Sequence, residues 1–167
     1  MLTVNQVLLL QVIADTPSQR IEGATRFQKL VFMSQWKFRN KERMNDNMLA
    51  GFNYLFKRWN YGPYSPQLQN DLDSLCLMGL IKRDFTVPYY FSLTEEGDKH
   101  LQENSSTIHE EVQETIQDVV NEYGELKLAD LLHKVYQDVD LINKYRMGET
   151  ILAPVQSEKL NLSFPFN

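Results

Sequence analysis

Only one cysteine, Cys76, occurs in the 167 residues, which excludes an intramolecular disulfide and fits a reducing compartment. It falls in an apolar helical stretch, Leu75-Cys76-Leu77, where a buried and inert thiol is the ordinary reading. Long apolar runs are missing as well. Stretches such as Val7 to Leu10 fall far short of a membrane span, and the N-terminus lacks the basic-then-apolar pattern of a signal peptide. There is no Gly-rich phosphate loop, no nucleophile elbow and no serine with an evident base. The three histidines, His100, His109 and His133, have no Cys, Asp or Glu at ligand spacing, and His109-Glu110-Glu111 lacks the second histidine of a helix-borne zinc site. These absences predict no catalytic residue, no metal, no cofactor, no membrane contact and a cytoplasmic location.

What is present is the composition of a folded, soluble protein, with 43% hydrophobic and 23% charged residues. The length suits one ordinary domain, or a small domain with a helical extension. A net charge of −5 argues against a strong, sequence-independent DNA binder. The total hides an asymmetry. Residues 1–100 carry twelve Lys or Arg against ten Asp or Glu, whereas residues 101–167 carry five against twelve. Any nucleic-acid surface therefore belongs to the first part.

Thr3 is placed to cap a first helix that ends near Asp15-Thr16-Pro17-Ser18. A second helix starts near Thr25, with Phe27, Leu30, Val31, Ser34 and Phe38 on one face. The charged stretch from Lys37 to Asn47 reads as a loop or frayed helix end. Alternating aromatics from Phe52 to Phe56 predict a short strand, and Asn60-Tyr61-Gly62-Pro63 a turn. Ser65-Pro66 opens a third helix, because a serine cap satisfies an orphan N–H and proline needs no donor at the first position. Leu68, Leu72, Leu75 and Met78 form its inner face, and Gly79 ends it. Strands over Ile81–Phe85 and Tyr89–Leu93 make a wing, with one of Tyr89 and Tyr90 exposed. Thr94 caps the next helix, and Asn104-Ser105-Ser106 reads as a linker. Beyond it, Ile108 to Tyr123 and Leu128 to Val139 mark two amphipathic helices, before an extended tail from Met147.

The predicted class is mainly α with a small antiparallel β wing, hence α+β. A winged helix-turn-helix domain over 1–103 is followed by an acidic helical extension and tail over 104–167. Three groups of residues carry the argument further. Thr25-Arg26-Phe27-Gln28-Lys29-Leu30-Val31-Phe32, the aromatic strand before Tyr61-Gly62-Pro63-Tyr64-Ser65, and Asp71-Leu72-Asp73-Ser74-Leu75 with Gly79-Leu80-Ile81 resemble the SocA/Panacea-type domains and their YwgA-like relatives. Tyr123-Gly124-Glu125-Leu126 and Leu131-Leu132-His133-Lys134-Val135-Tyr136 are similar to the helical end of the YwgA-like group. The resemblance covers roughly residues 20–140. It implies a prokaryotic or phage-associated, non-enzymatic module that neutralises or recruits a protein partner in a toxin–antitoxin or defence system.

For that role the candidate partner-binding residues are Trp59, Tyr61, Tyr64, Gln67 and Asn70. Aromatics anchor interfaces because they bury much area with few rotors, and equally they pack into cores. The alternative is a winged-helix regulator that binds duplex DNA through Lys57, Arg58, Gln67, Asn70, Lys82 and Arg83, as a homodimer formed through the C-terminal helices. Asp71, Asp73 and the lack of any Lys or Arg on the third helix weigh against it. Arg26 and Lys29 read as a solvated flank, and Gln28 as a group tied to the following backbone. Lys37, Arg39, Lys41 and Arg43 form the densest basic patch, open to an anionic partner or simply to water.

Overall fold

Thr3 caps helix α1 (Val4–Asp15) as its sequence predicts. In the computed structural model, which describes residues 1–41 and 46–156, its hydroxyl accepts from the Gln6 N–H at 3.1 Å. Gln6 Oε1 accepts from the Thr3 N–H in return, also at 3.1 Å. This reciprocal pair satisfies two orphan donors. Every residue from Val7 to Ile13 is buried, so α1 is covered on all sides and is not a surface helix. The same holds for α2 (Ala24–Lys41), buried from Phe27 through Gln35.

Around these two helices the described residues form seven helices and six short strands in all, a mainly helical α+β fold with two antiparallel sheets. The first sheet contains the expected wing strands, β4 (Ile81–Arg83) and β5 (Tyr90–Leu93), and adds β1 (Arg20–Glu22) in the order β1-β5-β4. Nothing in the sequence announced β1, because three residues with one inward Ile21 are too short to show a period. Tyr89 and Tyr90 are both half-buried. Tyr89 packs edge-on against Phe91, and Arg20 covers the Tyr90 ring, so neither is exposed as expected.

Helix α3 (Pro66–Leu77) follows its prediction closely. Ser65 Oγ accepts from the Leu68 N–H, and Leu68, Leu72 and Leu75 face inward. Met78 does not. It is the exposed C-cap, followed by Gly79 at φ +72°. Leu80 N–H then donates to Leu75 O at 3.0 Å and Gly79 N–H to Cys76 O at 3.1 Å, the paired bonds that close a helix through a left-handed glycine. Ser65→Ala should lower stability by about 1 kcal/mol, the usual worth of an N-cap hydroxyl. Urea denaturation measures it, and an unchanged midpoint would deny the cap that role.

The second sheet departs from expectation. The strand predicted over Phe52–Phe56 begins only at Phe56, as β2 (Phe56–Trp59). Phe52 and Tyr54 precede it in extended, buried chain that pairs with side chains in place of a neighbouring strand. Gln35 Oε1 accepts from the Tyr54 N–H and Gln35 Nε2 donates to Tyr54 O, both at 2.9 Å. Asn5 Oδ1 takes the Asn53 N–H. The turn is shorter than predicted, because Gly62 and Pro63 already belong to β3 (Gly62–Tyr64), leaving Asn60-Tyr61 to turn the hairpin. β6 (Thr150–Leu152), in the tail expected to be extended, completes the order β3-β2-β6.

The acidic C-terminal segment shares the same core. After α4 (Glu95–Asn104), capped by Thr94, the supposed linker is a 3-10 turn over Ser105–Thr107. Helices α5 (Glu110–Tyr123), α6 (Leu128–Asp138) and the short α7 (Leu141–Lys144) follow. α5 packs on α1 and α2, and α6 on α2. Val112, Ile116, Val119, Val120, Tyr123, Leu131 and Val135 are buried within the chain, so the inner faces of these helices belong to its core.

Of the two readings of the basic stretch, loop or helix end, its described part is helix end, since α2 continues to Lys41. Arg43 lies outside the described residues. Lys37 Nζ reaches Glu122 at 2.6 Å, and Lys41 approaches Asp118 at 3.9 Å. Lys134 bridges Glu122 and Asp138 at 3.3 and 3.7 Å. Lys37, then burial opposing it, then Lys134 set the Glu122 carboxyl, with the net effect below the ordinary carboxylate range. Each such exposed pair contributes little alone, but together they direct the basic end of α2 toward the acidic face of α5.

Candidate functional site

The β2–β3 hairpin turns in two residues, and this holds its aromatic side chains at the surface. Trp59 is 43% and Tyr61 67% exposed, while Tyr64 is half-buried. With Pro66 at the start of α3 and Ala24 and Thr25 at the start of α2, they line a cleft of about 480 Å³. Gln28, Lys29 and Gly62 also line it. Gly62 has φ +93°, and a Cβ there would stand 3.3 Å from the Tyr136 ring and 3.6 Å from Lys29 Cε. Both its backbone angle and its crowding thus call for glycine.

Three of the five predicted partner-binding residues therefore meet in one place. Gln67 and Asn70 do not join them. Both are exposed on α3 and line a separate, more polar hollow of about 450 Å³ with Asn5, Asn53 and Asp71. Asp71 is not a free solvated carboxylate there. It accepts from the Tyr54 hydroxyl at 2.6 Å and from Gln6 Nε2 at 3.2 Å. Burial first, then this carboxylate, push the Tyr54 phenol up.

The residues beneath the aromatic cleft overturn three sequence readings. Lys29, read as a solvated flank, is 2% exposed and donates from Nζ to Pro63 O at 2.8 Å. Among the described residues no carboxylate lies within ion-pair distance of it. Burial lowers its ammonium from the ordinary 10.5 to about 8, because desolvation disfavours the charged form. Gln28 is tied not to its own following backbone but to Ser65, accepting from its N–H at 3.0 Å and donating to its carbonyl at 2.9 Å. Arg26 is half-buried and donates to Gly124 O at 3.0 Å. The signal that could have revealed these positions is Leu30-Val31-Phe32-Met33. Four consecutive apolar residues point around a whole helical turn, so the polar neighbours of such a run are enclosed too.

Of the set named for DNA binding, the two arginines are engaged within the chain. Arg58 donates to Tyr145 O and lies over the Tyr136 ring. Arg83 stands 3.8 Å from Asp73 and over Phe85. Lys57 is half-buried and Lys82 exposed. Cys76 is half-buried, and burial pushes its thiol up. Among the described residues no three His, Cys, Asp or Glu side chains gather to hold a metal ion. No helix among them is long and apolar enough to cross a membrane.

The described residues thus combine an α+β fold with an aromatic cleft between the hairpin and α2. A family model described as "Antitoxin SocA-like, Panacea domain" matches residues 27–139, and the chain belongs to that family. The match opens at Phe27 on α2 and takes in the β2–β3 hairpin, α3 and the paired strands β4 and β5. No curated protein and no solved structure matches the chain.

Proposed function

We propose that this chain is a non-enzymatic protein-binding module of a toxin–antitoxin or phage-defence system, acting in the cytoplasm by sterically blocking or recruiting a protein partner. The family supports a toxin–antitoxin-related role. The observation that carries the mechanism is the cleft walled by Trp59, Tyr61 and Tyr64. A tryptophan and a tyrosine exposed side by side at a hairpin keep apolar surface in water that a docked partner would cover, and such residues dominate interface energetics.

On this reading α1 to α4 with the β1-β5-β4 sheet form a winged-helix scaffold adapted to docking, and α5 and α6 brace it from behind. The engagement of the arginines supports protein over DNA. A duplex binder needs cations free to neutralise phosphates, and Arg58 and Arg83 are engaged within the chain.

The test is co-expression with the product of each gene adjacent to its own, screened first for growth inhibition. Wild type should restore growth, and the double variant Trp59→Ala/Tyr61→Ala should lose at least tenfold in rescue while its thermal midpoint stays within a few degrees. Full rescue by the double variant would refute the cleft as the docking site.

A further inference from the structure

Lys29 stands apart from every other cation described. It is enclosed, it lines an open cleft, and one neutral carbonyl is its recorded acceptor. An ammonium carries three N–H donors, and a buried charge is ordinarily paired. The titratable and charged groups around it are the phenols Tyr61 and Tyr64 of the hairpin and Tyr136 of α6 across Gly62, with the Arg58 guanidinium over the Tyr136 ring. No carboxylate is among the residues that line the cleft. Thus a buried ammonium borders a cleft with aromatic walls, within a protein whose net charge is −5.

We propose that the cleft recognises an acidic side chain of the protein partner, set beside a bulky apolar one, with the carboxylate received by Lys29 Nζ and the apolar group held between Trp59, Tyr61 and Tyr64. This names the partner chemistry of the docking site proposed above and rests on that reading. The carboxylate completes the coordination of the ammonium in a site of low polarity, where a charge-assisted bond is worth far more than in water. The aromatic walls contribute affinity for almost any apolar group, and the buried cation supplies the discrimination. Because burial lowers the Lys29 ammonium to about 8, a carboxylate that requires the ammonium should bind independently of pH below 7. Its affinity should then weaken by up to roughly tenfold per pH unit above 8.

The experiment uses 4-fluorophenylacetate and its uncharged analogue 4-fluorophenylacetamide as probes of the full chain, followed by fluorine NMR at pH 7 and pH 9. The Trp59 indole N–H resonance at pH 7 locates them. We expect the acid to bind at least tenfold more tightly than the amide at pH 7, a preference that falls about tenfold by pH 9 and is lost in Lys29→Met. Should Lys29→Met fail to fold, the pH comparison on the wild type still decides, since at pH 9 an ordinary lysine keeps its proton and an ordinary phenol stays neutral. Equal binding of acid and amide, both shifting Trp59, would overturn the carboxylate recognition and leave the aromatic docking cleft standing. A Trp59 resonance unmoved by either probe would overturn both.

Discussion

Gly97→Ala should lower the stability of the fold by about 3 kcal/mol or more, a cost at the upper end of overpacking in a closed core. The reason is proximity. Thr94 caps α4 by accepting from the Gly97 N–H at 3.0 Å, while donating from its hydroxyl to Gly79 O at 2.6 Å. Thr94 N–H also donates to Leu80 O at 3.1 Å. These bonds pull the first turn of α4 onto the end of α3, until a Cβ at Gly97 would lie 2.0 Å from Leu80 O. That atom is backbone, fixed by the bonds that close α3 and start β4, so it has no rotamer by which to yield. Gly79→Ala separates crowding from conformation. Gly79 has φ +72° with nothing within 4 Å of its would-be Cβ, and its replacement should cost only about 1 kcal/mol. Urea denaturation of both variants measures the difference. Equal losses would mean that the approach of α4 to Leu80 relaxes freely.

The second large effect is a rise in stability on the alkaline side. Below about pH 8 the folded and unfolded chains both hold the Lys29 proton, and the penalty of burying the ammonium is fully present. As the pH passes about 8 the folded state sheds the proton, while the unfolded chain keeps it to about 10.5. The unfolded state then binds more protons, so unfolding free energy increases with pH. At about 1.4 kcal/mol per pH unit the gain approaches about 3 kcal/mol by pH 10.5. Burial also pushes the Tyr54 and Tyr123 phenols up, which works in the opposite direction above about pH 10, where unfolded tyrosines ionise. Lys29→Met shares those phenols and lacks the amine. The stability of wild type relative to Lys29→Met should therefore climb from pH 8 upward, measured by urea denaturation at fixed salt. Parallel curves for the two proteins would show that the Lys29 amine is not desolvated as its burial requires.

The parts of this fold legible in the sequence are those built from neighbours in the chain. Thr3, Ser65 and Thr94 announce their helices because a cap acts on an N–H within the next turn. The alternation of Leu68, Leu72 and Leu75 needs only one apolar face. What escaped notice is decided by distant segments. β1 exists because β5 has a free edge. Tyr54 leaves the ladder because Gln35, far back on α2, supplies both of its backbone partners. Lys37 and Lys41 look like a free basic patch until α5 arrives with Glu122 and Asp118. The aromatic half of the candidate site was readable from its turn, since a tight hairpin must leave side chains at its tip. Lys29 was not, because its burial comes from the hairpin folding over a helix flank that a charge pattern assigns to water.

The strand order β3-β2-β6 also bears on how the protein is made. β2 and β3 leave the ribosome together, but the other edge of β2 is closed only by Thr150–Leu152, near the far end of the chain. Until those residues emerge, the hairpin that carries Trp59 and Tyr61 presents a bare row of backbone donors and acceptors, a template for any passing strand. Long-range pairing of this kind is slow to form and prone to misassembly while incomplete. The proposed recognition surface is thus completed only after residues 150–152 have emerged, and a nascent chain stalled before residue 150 would display its aromatic tip on an unfinished sheet.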